Sequence, residues 1–82
     1  MKLTHTQSEY AIELSLDQYG KWMHYNERYS VFEQAKKFPT VREINFDGHF
    51  GPYIFITIEV DEYGHTEIIK VFDWIRSIVG DK

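Results

Sequence analysis

Residues 10–17 alternate along the chain, with Tyr10, Ile12, Leu14 and Leu16 on one side and Ala11, Glu13, Ser15 and Asp17 on the other. A period of two marks a half-buried β-strand. Asp17-Gln18-Tyr19-Gly20 then carries turn-forming residue types, and Gly20 can supply a positive φ. On that reading the Trp- and Tyr-rich residues 21–29 are the return strand of a hairpin. The same stretch holds a helical stripe, because Trp22, Tyr25, Tyr29 and Phe32 stand at i, i+3, i+7 and i+10. The hairpin is preferred because its turn and strand signals agree.

Ser30-Val31-Phe32-Glu33 fits a capping box at the start of a short helix that runs through Lys36-Lys37 and stops at Pro39. Residues 41–47 alternate again, and Gly48, Gly51 and Pro52 mark a loop. Residues 53–61 form the clearest strand, with Ile54, Ile56, Ile58 and Val60 on the buried side and Tyr53, Phe55, Thr57, Glu59 and Asp61 on the other. Ile68, Val71, Phe72, Ile75, Ile78 and Val79 follow the spacing of an amphipathic helix, with Thr66 as its N-cap and Gly80 at its C-terminal end. The alternative is a strand over residues 66–71 with a helix from Asp73. Asp17, Tyr19 and Gly20 are echoed by Asp61, Tyr63 and Gly64, which is too few matches to establish a duplication.

The architecture that follows is α+β, ββαββα or ββαβββα: an antiparallel sheet of four or five strands with two helices on one face. Its expected core is Ile12, Leu14, Leu16, Ile44, Phe46, Ile54, Ile56, Ile58 and Val60, packed against Phe32, Ala35, Phe38, Ile68, Phe72, Ile75 and Val79. A length of 82 residues makes this a single domain over residues 1–82. It leaves no interdomain cleft to hold an active site. The aromatic fraction of 17% exceeds what so small a core can hide, so rings are expected on the surface.

Nine Lys and Arg against thirteen Asp and Glu give a formal charge of −4, which argues against direct nucleic-acid binding through phosphates. The absence of cysteine excludes disulfides and thiolate metal sites. No apolar run has the length of a signal peptide or a membrane span, so a soluble cytoplasmic protein is expected.

The face turned away from the helices carries the candidate chemistry. Its carboxylates and rings suit protein binding: Trp22, Tyr53 and Phe55 as apolar anchors, and Glu13, Asp17, Glu59 and Asp61 for steering and register. The same residues also fit an ordinary solvated sheet face. The expected function is a non-enzymatic binding module, an inhibitor or adaptor docking on the basic surface of a nucleic-acid-handling protein. Self-association through an unpaired strand at residues 21–29 is a variant, and a structural homo-oligomeric subunit is a further one.

The enzymatic alternative is a small hydrolase or nuclease using His24 or His49. His24, Tyr25, Glu27 and Arg28 supply a base, an acid and an anion clamp, but strand alternation splits them between two faces. No nucleophile-elbow, P-loop or dinucleotide motif occurs. Asp47 with His49, and Asp61-Glu62 with His65, are the nearest approaches to metal-ligand spacing, and without a His-x-x-x-His pair they read as surface loops. No metal or cofactor is expected.

Overall fold

The computed structural model describes residues 1–5, 9–50, 53–62 and 64–80, the side chains of residues 46–50 and 53 excepted. In chain order the elements are β1 (Lys2–His5), β2 (Glu9–Ser15), α1 (Leu16–Tyr29), α2 (Val31–Ala35), β3 (Val41–Phe50), β4 (Tyr53–Val60) and α3 (Ile68–Val79). The four strands form one antiparallel sheet in the order β1-β2-β4-β3. The α+β class is therefore as expected, with a different set of elements: a strand precedes residue 9, and three helices stand where two were expected.

The largest correction concerns residues 16–29, which are helix and not a turn with a return strand. The strand pattern ends at Ser15 because Ser15 caps the helix. Its Oγ accepts from the Gln18 backbone N–H at 3.2 Å, while Gln18 Oε1 accepts from the Ser15 N–H at 3.0 Å. The Gln18 amide also donates to the Gly80 carbonyl at 2.8 Å, so the start of α1 is tied to the end of α3. Asp17 complements the positive end of the helix and meets Lys21 at 3.5 Å. Tertiary burial then decides between helix and hairpin. The helical phase places Trp22 wholly in the core, and an aromatic of that size stabilises by up to about 4–6 kcal/mol at full burial. Keeping Gly20 in a helix costs only about 1 kcal/mol.

Two expected core residues move out as a consequence. Leu16 is 59% exposed, because the chain turns into α1 there instead of continuing the strand. Phe32 is 53% exposed, and Val31 is buried in its place. The one-residue shift comes from Ser30, whose φ of 57° breaks α1 from α2. Ser30 makes no side-chain cap, so the expected capping box with Glu33 is absent. Asn26 Oδ1 instead accepts from the Val31 N–H at 2.8 Å, and Glu33 pairs with Lys36 at 3.1 Å.

Residues 48–50, expected in a loop, belong to β3. Pairing of β3 with β4 is interrupted by register shifts between Val41 and Glu43 and between Asn45 and Gly48. The expected place of Phe46 in the core lies outside the described side chains. At the end of the chain the helix reading is right and the strand reading of residues 66–71 is not: α3 buries Ile68, Val71, Ile75 and Val79, with Phe72 and Ile78 half-buried. It is preceded by a turn, and its N-cap is Glu67, not Thr66. The Glu67 carboxylate accepts from both the backbone N–H and the hydroxyl of Thr40, which fastens this turn to the start of β3.

Among the described residues, the buried strand side chains share one parity. Tyr10, Ile12, Leu14, Ile44, Ile56, Ile58 and Val60 join Trp22, Val31, Ala35, Phe38 and the buried residues of α3 in one cluster. Near its rim the Tyr10 hydroxyl meets His65 Nδ1 at 2.6 Å, and the Tyr10 ring stacks on His5 with centroids 4.3 Å apart. Gly64 is buried against Val60, and a Cβ at Gly64 would overlap the Val60 side chain.

Candidate functional site

The strand residues of the opposite parity form the side of the sheet turned away from the core, and among the described ones none is buried. Register sets their neighbours. Glu59 of β4 lies directly between Glu9 of β2 and Glu43 of β3. Thr57 lies between Ala11 and Asn45, and Phe55 lies beside Glu13, whose other neighbour is Lys2 of β1. The side thus carries a row of three glutamates at one end and a half-buried ring beside a carboxylate at the other.

Of the residues singled out from the sequence, Glu13, Phe55 and Glu59 share this side, Glu13 beside Phe55 at one end and Glu59 at the other. Asp61 directly follows β4, with its backbone N–H donating to the Thr40 carbonyl at 2.9 Å. The Tyr53 backbone belongs to β4, and its side chain lies outside those described. Trp22 must be withdrawn as a surface anchor, since it has no exposed area. Asp17 is exposed on the first turn of α1 and is not a sheet residue. Glu9 was missed because the alternation was started at Tyr10. Extending the period back one position would have included it.

A second surface lies between α1 and α3, an open groove of about 800 Å³. Tyr25, Trp74 and Ile78 are its half-buried apolar lining, and Leu16 and Tyr29 are its exposed flanks. The rings interlock, with Trp74 edge-on to Trp22 at 5.7 Å and to Tyr25 at 6.2 Å between centroids. Sequence reasoning missed this groove because it assigned residues 21–29 to a strand. The chain matches no family model, no curated protein and no solved structure.

The quartet His24, Tyr25, Glu27 and Arg28 is on a helix, so the strand argument that separated it does not apply. His24, Tyr25 and Arg28 line the groove and Glu27 does not. His49 lies outside the described side chains. Among the described residues no three His, Asp or Glu side chains are placed to hold a metal ion, and no helix is long and apolar enough to cross a membrane.

Proposed function

We propose that this chain is a non-enzymatic protein-binding domain whose acidic sheet side docks on a basic surface of a partner protein. The observation that carries the reading is the row Glu9–Glu59–Glu43. Like charges directly opposite one another across strands oppose the fold. A cationic partner converts that repulsion into attraction, steers encounter and rejects acidic competitors. Phe55 beside Glu13 supplies an apolar contact within the charged field. A partner that handles nucleic acid offers such a surface, with carboxylates taking the place of phosphates. Self-pairing through residues 21–29 drops out of the reading, because that segment is helical.

Affinity capture from the native host at low and high salt tests the reading, with the wild type beside Phe55→Ala and a Glu43→Lys/Glu59→Lys double variant. A basic partner retained by the wild type, released at about 0.5 M salt and lost by the charge-reversed variant is the expected result. Equal retention by all three proteins would rule out this side of the sheet.

A further inference from the structure

We propose that the groove between α1 and α3 is a second docking site, and that its occupant is an acidic amphipathic helix of a partner protein. The inference does not depend on the reading of the sheet, because the two surfaces share no residue.

Charge identifies the occupant. The chain is acidic overall at −4, yet Lys21, His24 and Arg28 line the groove. They stand at i, i+3 and i+7 of α1, so they form one stripe about 10 Å long. Asp17 is the single carboxylate among the described lining residues, and with it paired to Lys21 the lining keeps an excess of one positive charge through Arg28. Arg28 lies 5.8 Å from the centre of the Tyr29 ring, and Lys37 lies 4.9 Å from that of Trp74. Arg28 thus stands at the Tyr29 flank, Lys37 covers Trp74 from outside the lining, and the apolar lining beside Lys21 and Arg28 suits a ligand that is apolar on one face and anionic along its flank. A helix with carboxylates at i, i+3 or i+4, and i+7 beside a stripe of apolar residues has both properties.

Dimensions agree with that occupant. The 14 residues of α1 run about 20 Å, the length of a three- to four-turn helix laid alongside. The groove is open along its length, whereas a small apolar acid requires a pocket that encloses most of its surface. A second copy docking groove to groove would bring like cations together.

Gly20 supplies an independent observation. It lies inside α1, lines the groove, is exposed, and a Cβ there would meet nothing within 4 Å. Nothing in the chain itself requires glycine at this position, and a helix interior disfavours it. A missing Cβ at the groove wall lets the backbone of an approaching helix come close.

Selection of a displayed library of random helix-forming 15-residue peptides against the full chain tests the proposal. Winners are expected to carry Asp or Glu at i, i+3 or i+4, and i+7 next to an apolar stripe. In NMR titrations they should shift Gly20, Lys21, His24, Arg28 and Ser77. A Lys21→Glu/Arg28→Glu variant, changed only at exposed positions, should bind the winners at least tenfold more weakly with an unchanged circular dichroism spectrum. Arg28→Gln should weaken them to a lesser degree. Gly20→Ala should raise the melting temperature while lowering affinity. Winners without acidic enrichment, equal binding by the charge-reversed variant, or shifts centred on Phe55 and Glu59 would overturn the proposal. So would dodecanoate shifting the groove resonances where no peptide does, or a dimer of the free chain that Lys21→Glu/Arg28→Glu returns to monomer.

Discussion

Glu59→Gln should make this protein more stable. Glu59 is flanked on both sides by glutamates in register, and the substitution keeps its size and shape while removing its charge. Directly opposed side chains start from Cβ atoms about 5 Å apart, and flexible carboxylates can splay to about 6 Å. In water-like surroundings two unit charges at that distance repel by about 0.7 kcal/mol. Two such pairs total about 1.4 kcal/mol, which screening at low salt trims to about 1 kcal/mol, and each pair lies within the range for cross-strand charge pairs. The melting temperature should rise by about 4–8 °C for a domain of this size. Urea unfolding at pH 7 in about 20 mM salt measures the gain. At 1 M salt, where screening acts over about 3 Å, most of it should vanish. Glu43→Gln alone should give about half the gain, and almost none once position 59 is already Gln, a coupling of about 0.5–0.7 kcal/mol. A Glu59→Gln protein no more stable than the wild type at low salt, or equally favoured at both salt concentrations, would refute the reasoning. It would show that the three carboxylates do not repel one another and remove the physical basis for a cationic partner.

Three further outcomes test the packing. Gln18→Leu leaves the Gln18 N–H on Ser15 Oγ but removes the side-chain bonds to the Ser15 N–H and the Gly80 carbonyl, so chemical denaturation should show a loss of about 2–4 kcal/mol, and the amide of Gly80 should exchange faster with solvent. Gly64→Ala forces a Cβ into Val60, and thermal melting should show severe destabilisation that Val60→Ala fails to relieve, since the overlap includes the Val60 Cβ itself. Gly20→Ala should add about 0.5–1 kcal/mol to stability in the absence of any partner, measured by urea unfolding, because its site is open and helical. A loss at Gly20 would mean that the chain itself needs glycine there.

Burial parity was readable where a single period dominates. Ile54, Ile56, Ile58 and Val60, and the α3 stripe Ile68, Val71, Ile75 and Val79, are buried as their spacing implies. Phase was misread wherever a local signal competed with a longer-range demand. Asp17 and Gly20 are turn-formers by type, but Gln18 between them is the third residue after a Ser15 cap and finds a partner at Gly80, which no local pattern reveals. The positive φ at Ser30 likewise shifted burial from Phe32 to Val31, because it resets the helical phase between two helices. Half of the candidate sheet site was legible for the same reason that the strands were. Phe55 and Glu59 follow from alternation, whereas the opposition of Glu59 to Glu9 and Glu43 depends on register, which needs the pairing itself. The groove was invisible because it exists only once α1 and α3 lie side by side.

The register shifts in β3 bear on how molecules of this protein meet. β3 forms one border of the sheet, and an uninterrupted ten-residue border would offer a template on which a neighbour could build a continuing ladder of backbone bonds. Two dislocations twist that border and leave no long run of evenly spaced donors and acceptors to copy. Growth of a ladder from this border is thereby discouraged.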